Sequence, residues 1–339
     1  MSIGSAQRST RVSIVVPIFN VAPFLRKCLD SLLAQTSANW EAVLIDDGST
    51  DMSPEICQSY ARVDPRFRYY SQSNQGQGLA RNRGVELSEG EFILFVDPDD
   101  WIHPSTVQEL SNQLANQEVD FVSFGLEYVD EGGRTVRRFS RSQSDQLVGR
   151  AIFRSALIDK EVLSSPCNKI YRKSFLIEQE IRFPALRAYE DLFFSRLLSL
   201  KARRCSFVDR VYYFALVRAG STTRSASIRR AHQAVELMAL ERAVFWKHLA
   251  DNEERDLFNA HLVKFVGQIA FQFAFGFRVR REFLEAHAVL FESAAVKGVG
   301  GRYRSLLPLK NRIVEPLVRR PLLLWFCAKT VASFGIRPY

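Results

Sequence analysis

The feature that most constrains the fold is a series of short apolar segments that alternate with helix-like segments. Val12–Ile18, Trp40–Ile45 and Phe92–Val96 are runs of strand length, rich in β-branched and aromatic residues. Between the first two, Ala22–Thr36 places its apolar residues at helical spacing. Strands that alternate with helices predict βαβ units, and therefore an α/β fold with a mostly parallel sheet flanked by helices.

The pattern continues less regularly along the chain. The remaining predicted elements are strands at Arg66–Tyr70, Phe121–Phe124, Glu127–Asp130 and Phe207–Ala215, and helices from about Ser53, at Gly78–Leu87, from Pro104, at Ala151–Leu163 and at Glu190–Leu200. Arg134–Arg150 is polar and basic, and we interpret it as a loop. Only helical patterns follow Ala226. We therefore expect residues 1–225 to form one domain and residues 226–339 to form a helical, basic C-terminal region.

Polar residues follow three of the predicted strands. Phe19 and Asn20 come after the first, Asp46 and Asp47 close the second, and Asp97–Asp100 follow the fourth. In open parallel sheets, ligands bind beyond the carboxyl ends of the strands. We therefore expect these clusters to converge on one binding site.

The sequence Asp97-Pro98-Asp99-Asp100 has two interpretations. Three adjacent carboxylates repel one another strongly unless a cation lies among them, and a hard divalent ion with oxygen ligands relieves that repulsion. This interpretation predicts a site for a metal ion and a diphosphate. The same residues are also ordinary in a turn or at a helix N-cap. The position after an apolar strand favours the metal site.

Two further acidic pairs leave alternatives open. Asp46 and Asp47 match the strand-end acids of an aspartyl-phosphate phosphatase or a receiver domain, or they bind a nucleoside base. Against a phosphatase, Gly48 occupies the place of its second acid. Glu190 and Asp191 open a helix, where acids interact well with the helix dipole. A catalytic base at that point would have its pKa raised by burial near other acids.

The net charge of +9 is unevenly placed, since residues 1–220 carry equal numbers of basic and acidic side chains. The whole excess lies in residues 221–339, where basic and apolar residues alternate before Leu322–Phe326. The composition is typical of an interfacial helix on anionic lipid, although a solvated helix face would also explain it. The basic residues concerned are Arg302, Arg304, Lys310, Arg312, Arg319 and Arg320.

Other sequence features narrow the classes of protein. Five widely spaced cysteines with no CxxC pair predict neither a disulfide framework nor a zinc site. The first ten residues lack the apolar region of a signal peptide, and no apolar run is long enough to span a bilayer. We expect a cytoplasmic protein held peripherally on the membrane. No nucleic-acid reading motif accompanies the charge, so nucleic acid is not an expected partner.

Several motifs together resemble a known family. They are VSIVVPIFN, WEAVLIDDGSTD, NQGQGLARNRG, GEFILFVDPDD and RAYEDLFF, joined for a bacterial branch of that family by CNKIYRKSFL, IRFP, YEDLFFSRLL and YYFALVRAGSTT, and the match covers about residues 11–224. The chain resembles family 2 glycosyltransferases with the GT-A fold, in the bacterial branch that assembles capsule, exopolysaccharide and lipopolysaccharide. The resemblance implies a nucleotide-binding half at about residues 11–130 and an acceptor half at 131–225. Residues 226–339 match no motif of the family.

The resemblance also implies roles for individual residues. Pro17, Phe19 and Asn20 would line the nucleoside pocket, Asp47 with Asp46 nearby would bind the base, and Arg81 would lie near the nucleotide. Asp97 would hold the ribose or a metal-bound water, and Asp99 would ligate Mg²⁺ or Mn²⁺. The catalytic base would be Asp191 or, less favourably, Glu190. Two positions depart from the family, which usually has Tyr at Phe19 and more often Ser at Pro98.

The implied activity is metal-assisted, inverting transfer from a nucleoside-diphosphate sugar, with UDP-hexose as the family-weighted choice. The acceptor would be a hydroxyl of a lipid-linked or growing surface polysaccharide, and the product would be β-linked. The main alternative is a non-catalytic module that binds sugar nucleotides or polysaccharide, but such a module would be expected to have lost one of these acids. A phosphatase is less favoured. A dinucleotide oxidoreductase is less favoured still, because Gly76-Gln77-Gly78 is not a GxGxxG motif.

Overall fold

The structure is a computed structural model that describes residues 11–140, 145–158, 161–218, 226–293, 316 and 318–333. The chain divides into two compact units, the first ending at Arg218 and the second formed by the residues after it. The domain boundary predicted near residue 225 adjoins residues 219–225, which lie outside the described residues.

The first unit is an α/β fold with a central sheet flanked by helices. Its strands are β1 (Val12–Ile18), β2 (Trp40–Asp46), β3 (Phe67–Ser71), β4 (Phe92–Phe95), β5 (Trp101–Ile102), β6 (Phe121–Asp130), β7 (Thr135–Phe139), β8 (Gln146–Val148), β9 (Lys169–Arg172) and β10 (Arg204–Val217). Its helices are α1 (Ala22–Leu33), α2 (Ser53–Val63), α3 (Gln77–Leu87), α4 (Thr106–Ala115), α5 (Arg150–Leu157), α6 (Lys173–Glu178) and α7 (Glu190–Lys201).

The strands form one sheet in the order β3-β2-β1-β4-β9-β6-β10-β5, with β7 paired to β6 and β8 paired to β10. The pairs within β3-β2-β1-β4 are parallel, as is β6 with β10, and the remaining pairs are antiparallel. Every residue of β1 and β2 is buried. Such strands read as continuous apolar runs because both faces of the sheet are covered.

The regular part of the sheet agrees with the sequence, but the loop predicted at Arg134–Arg150 is wrong. That stretch contains β7 and β8, whose residues are mostly exposed. Because few of these side chains enter the core, the strands lack the apolar alternation by which half-buried strands are recognised. The predicted strand stretches Phe121–Phe124 and Glu127–Asp130 both lie in one continuous strand, β6.

Close packing of α3 on β1 positions the polar residues at the carboxyl end of the sheet. A Cβ atom at Gly84 of α3 would lie 2.2 Å from Cγ1 of Val15 in β1. Only glycine therefore permits this approach without repacking. The contact sets α3, which carries Arg81, directly against the central strand.

The second unit is helical in its described parts. Its helices are α8 (Ile228–Phe245), α9 (Asn252–Gly276), α10 (Arg280–Glu292) and α11 (Pro321–Ser333), with a short 3₁₀ helix at Trp246–His248. The ring of Trp325 lies 5.2 Å from that of Phe283, and the Lys329 amine donates to the carbonyl oxygen of Phe277 at 2.6 Å. These contacts join α11 to α10 and to the end of α9.

Within the described residues, no helix has the length and apolar character needed to cross a bilayer. Part of the basic stretch expected to contact lipid lies outside the described residues, namely Arg302, Arg304, Lys310 and Arg312. Arg319 and Arg320 are described, and both are exposed.

Candidate active site

Arg81 joins two of the predicted acidic sites. Its guanidinium is almost fully buried and donates to Asp97 Oδ1 at 2.7 Å and to Glu190 Oε1 at 3.3 Å. Gln77, one turn earlier on α3, donates to the same Asp97 oxygen at 3.0 Å. The fold therefore brings together residues from α3, from the turn after β4 and from the first turn of α7.

Glu190 and Asp191 lie at the start of α7, after Tyr189 in a left-handed conformation (φ 64°). A Cβ atom at Gly78 would lie 2.9 Å from Glu190 Cγ, so glycine is what lets α3 approach this turn. Burial raises the pKa of Glu190 to about 7, and the charge of Asp191 adds to this while Arg81 opposes it. Burial also raises the pKa of Asp191, whose Oδ1 accepts a hydrogen bond from the Leu192 amide at 2.9 Å. Carboxylates with raised pKa values are well suited to accept protons near neutral pH.

The three acids after β4 have different surroundings. Asp97 is bound by Arg81, whereas Asp99 Oδ2 forms an ion pair with Arg218 Nη2 at 2.9 Å. Asp100 is buried and accepts hydrogen bonds from the Tyr213 hydroxyl at 2.6 Å and the Leu216 amide at 2.8 Å. Burial, with the charge of Asp97, raises the pKa of Asp99 and raises that of Asp100 well above its usual range. Asp100 thus anchors β10, while Asp97 and Asp99 remain partly accessible.

The chemistry of Asp97 and Asp99 fits a divalent cation. Carboxylate oxygens are the ligands that Mg²⁺ and Mn²⁺ prefer. Each of these acids is neutralised by a guanidinium, which supplies the kind of positive charge that a cation would supply. The described residues contain no cluster of three or more His, Cys, Asp or Glu side chains placed to hold a metal ion. Two carboxylates would leave most coordination positions to phosphate and water, which is usual for Mg²⁺.

The residues expected to line the nucleoside pocket follow β1. Pro17 is buried within the strand, whereas Phe19 is 50% exposed. Asn20 adopts a left-handed conformation (φ 48°), and its Oδ1 accepts a hydrogen bond from the Thr50 amide at 2.8 Å. The turn after β1 is therefore fastened to the turn after β2, with an accessible ring beside it. An exposed aromatic ring can stack on a base.

Asp46 and Asp47 are both buried and hydrogen-bonded within the chain. Asp46 accepts from the Ser49 amide and the Tyr69 hydroxyl, each at 2.9 Å. Asp47 accepts from the amides of Gln75 at 2.9 Å and Gly76 at 2.7 Å, and from the Gln72 side chain at 2.7 Å. Asp47 thus fixes the loop that leads into α3, in addition to any contact with a ligand.

Sequence reasoning missed Arg218, Gln77 and Tyr213. Their partners are distant along the chain, and no spacing rule connects Arg218 to an acid that lies 119 positions earlier. The available signal was the position of Arg218 directly after an aromatic strand. Lys169 is buried and donates to the carbonyl oxygens of Leu163 at 2.7 Å and Ser165 at 2.6 Å. It thereby holds the turn before β9.

Solved structures support the fold. A crystal structure of Staphylococcus aureus TarS, residues 1–349, superposes with a TM-score of 0.66 at 22% identity and covers 97% of this chain and 93% of that one. A mannosyltransferase from Pyrobaculum calidifontis, solved with GDP-Man and Mn²⁺, gives a TM-score of 0.53 at 17% identity, covering 94% and 87%. Both comparisons agree with a GT-A architecture.

Sequence relatives establish the family. The model for glycosyl transferase family 2 matches residues 13–179. The putative glycosyltransferase EpsH of Bacillus subtilis is 37% identical to this chain over an alignment that covers 60% of this chain and 59% of EpsH. About two fifths of EpsH therefore lie outside the match. Glycosyltransferase GlyA of Streptococcus pneumoniae is matched over only 34% of its length. Glycosyltransferase GlyG of the same species is 30% identical over 64% of this chain and 74% of its own length. With the motifs in order, the fold shared and this extent of identity, the chain belongs to glycosyl transferase family 2.

Proposed function

We propose that this protein is an inverting glycosyltransferase that transfers a sugar from a nucleoside-diphosphate sugar to a glycan or lipid-linked hydroxyl, giving a β-linkage. The proposal rests on the hydrogen bonds that Arg81 donates to Asp97 and to Glu190, with Asp191 in the same helical turn as Glu190. In this proposal the donor diphosphate binds at one end of the network, and the acceptor is deprotonated at the other.

A UDP-sugar is the donor that we propose. Staphylococcus aureus TarS has been solved with UDP and with UDP-GlcNAc, which supports a uridine donor by similarity of fold. The base would stack on the exposed ring of Phe19 beside Asn20, and Asp47 would contact it from the adjacent strand end. The hexose itself follows only from the family resemblance.

Asp99 and Asp97 would hold Mg²⁺ or Mn²⁺, which, when bound, offsets the negative charge that develops on the leaving diphosphate. Arg81 and Arg218 flank these acids and keep the surroundings positive where the diphosphate would lie. Guanidinium groups suit phosphate oxygens because their donors form a planar fork. The chain's own contribution is therefore to orient the donor and to screen its charge.

Asp191 is the catalytic base in this proposal. Glu190 is buried and bonded to Arg81, whereas Asp191 is less buried and so better placed to reach a substrate. Asp191 would take the proton of the acceptor hydroxyl as its oxygen attacks the anomeric carbon opposite the leaving diphosphate. A single displacement of this kind inverts the anomeric configuration.

The acceptor that we propose is a lipid-linked or growing surface glycan, reached at the inner face of the cytoplasmic membrane. A named relative, TarS of Staphylococcus aureus, is a poly(ribitol-phosphate) β-N-acetylglucosaminyltransferase; it is 27% identical over 68% of this chain. Residues of α11 would provide the membrane contact, since Leu322, Leu323 and Phe326 are exposed beside Arg320. Aromatic, leucine and arginine side chains together are typical of interfacial helices.

The decisive experiment compares wild type with Asp191→Asn in a screen of sugar nucleotides, read by release of the nucleoside diphosphate. Loss of a general base typically costs about 10²–10⁴-fold in rate. Asp191→Asn should lose turnover on that scale while still binding UDP, whereas Asp209→Asn, a change at an exposed acid on β10, should retain activity. Turnover above about a tenth of wild type in Asp191→Asn, or a product of retained configuration, would contradict the assignment.

The alternative of a non-catalytic binding module makes a different prediction. Such a module would bind UDP without tightening by Mn²⁺, and no sugar nucleotide would release a diphosphate. The presence of both Asp99 and Asp191 is the reason to favour the enzyme. Binding titrations with and without Mn²⁺, run beside the donor screen, separate the two functions.

A further inference from the structure

The hairpin formed by β6 and β7 places a basic side chain beside an aromatic pair. Tyr128 of β6 lies directly opposite Arg137 of β7 in the antiparallel register. The Phe139 ring packs edge-on against Tyr128 at 5.9 Å, and the guanidinium carbon of Arg137 lies 4.1 Å from the centre of the Phe139 ring. The three side chains therefore form one cluster on one face of the hairpin.

This cluster adjoins the candidate active site. β6 runs parallel to β10, and Val129 is paired with Leu216, whose amide binds the Asp100 carboxylate. Burial raises the pKa of the Tyr128 phenol, the negative charges of Asp100 and Asp191 raise it further, and Arg137 lowers it. Tyr128 therefore lies one residue from the β6 position that pairs with Leu216, and its phenol responds to the charges of Asp100, Asp191 and Arg137.

The donor groups of Arg137 are available to a ligand. The side chain is exposed, and among the residues that the structure describes no carboxylate lies within ion-pairing distance of it. A guanidinium above an aromatic ring keeps its N–H edge open, and that edge matches the two oxygens of a carboxylate or phosphate. The next residue, Arg138, lies opposite Glu127 and belongs to the other face of the hairpin.

We infer that Arg137, with the Tyr128 hydroxyl as a second donor, binds an oxyanion carried by the acceptor, either a phosphate or a carboxylate near the attacked hydroxyl. The inference rests on the proposed glycosyl transfer and specifies its acceptor class as anionic. An anionic acceptor next to Asp191 would otherwise be repelled by that carboxylate, and Arg137 offsets the repulsion. Arg137 would act as an acceptor-binding residue and would leave the donor untouched.

Equilibrium binding tests the inference on protein saturated with UDP, so that the donor site cannot take up the probe. The probes are farnesyl diphosphate against farnesol, and methyl glucuronide against methyl glucoside, which separate a lipid-linked diphosphate from an acidic sugar. Wild type should prefer at least one anion over its neutral counterpart. Because a hydrogen bond to a charged group carries much of such a preference, Arg137→Gln should weaken anion binding about tenfold or more.

Two variants complete the test. Arg138→Gln, the matched control on the opposite face, should leave anion binding within about twofold of wild type, and Tyr128→Phe should weaken it less than Arg137→Gln does. Equal effects of Arg137→Gln and Arg138→Gln, or no preference for either anion in wild type, would overturn the inference.

Slow hydrolysis of the sugar nucleotide, which needs no acceptor, is read separately. If wild type hydrolyses the donor but anion binding does not depend on Arg137, only the acceptor inference fails. If no donor is hydrolysed while Arg137-dependent anion binding persists, the proposed glycosyl transfer fails instead.

Discussion

Arg81 donates a hydrogen bond to Asp97 at 2.7 Å and, through its other terminal nitrogen, one to Glu190 at 3.3 Å. One buried guanidinium thereby links the acid that follows β4 with the acid that opens α7, although these acids are far apart in the chain. The pKa of Glu190 therefore responds to the charges of both Arg81 and Asp97. In the proposed function, Asp191, the neighbouring acid, is the one that meets the acceptor.

We predict that Glu190→Gln removes a step from the pH profile of kcat/KM. The pKa of Glu190 is about 7, so the wild-type side chain is neutral below that pH and negative above it. A negative neighbour makes Asp191 a stronger base, because like charges disfavour each other. Activity in wild type should therefore rise as pH passes through 7, and Glu190→Gln should lack that rise. Initial rates of nucleoside-diphosphate release from about pH 5.5 to about 8.5 measure it.

The same variant should change stability with pH. The folded pKa of Glu190 is raised to about 7 from its usual 4.5, so the folded state holds the proton more tightly than the unfolded chain does. This contribution is full below the unfolded pKa and is lost as pH rises through 7. Relative to wild type, Glu190→Gln should gain up to about 3 kcal/mol in free energy of unfolding over that interval, measured by urea denaturation. Glu178→Gln, at an exposed acid, is the control and should show no such trend.

Another prediction concerns the ion pair between Arg218 and Asp99. If Asp99 helps to hold a divalent cation, the guanidinium of Arg218 competes for the same carboxylate. Arg218→Gln should then lower the Mn²⁺ concentration that gives half-maximal activity. A partly exposed ion pair contributes about 0.2–1 kcal/mol, so the expected decrease is about 1.4- to fivefold.

The control for that measurement breaks another ion pair on the same strand. Arg210→Gln removes the contact with Glu109 at 2.6 Å and should leave the Mn²⁺ requirement unchanged. An unchanged or higher requirement in Arg218→Gln would argue that the cation does not share Asp99 with this arginine.

The sequence predicts the parallel part of the sheet well because β1 and β2 are buried on both faces and consist mostly of apolar residues. Parallel register also explains why the strand-end acids could be expected on one edge. The exposed strand β7 carries no such signal. Pairs such as Arg218 with Asp99 depend on the order of strands in the sheet, which local periodicity does not encode.

A further prediction tests the close packing of α3 on β1. Alanine is normally favoured over glycine in a helix by about 1 kcal/mol. At Gly84, however, the new Cβ would lie 2.2 Å from Val15 Cγ1, and overpacking of this kind costs about 1–3 kcal/mol. We therefore expect Gly84→Ala to be destabilising. A Cβ added at Gly267 in α9 would have no atom within 4 Å, so Gly267→Ala should be stabilising. Denaturant unfolding of both variants measures the difference, and a stable Gly84→Ala would mean that α3 can move off the strand.

The final prediction concerns membrane contact by α11. Leu322, Leu323 and Phe326 are 51%, 46% and 56% exposed, while Leu324 and Trp325 on the other side of the helix are buried. Replacing the three exposed residues with Ser leaves the packed side intact but removes apolar surface worth about 1.5–3 kcal/mol for each side chain fully buried in lipid. Binding to anionic vesicles in a flotation assay should fall by about tenfold or more.

Two comparisons determine whether that loss reflects the helix face. Val63→Ser removes an exposed apolar side chain from the first unit and should leave flotation unchanged. Arg319→Gln combined with Arg320→Gln should weaken binding to anionic vesicles alone, by about 1 kcal/mol for each charge, and salt should mask the effect. If the Ser variant floats as well as wild type does, residues elsewhere in the chain must hold the protein at the membrane, or it does not bind there. If the protein does not bind there, the acceptor of the proposed reaction would have to reach the site from solution.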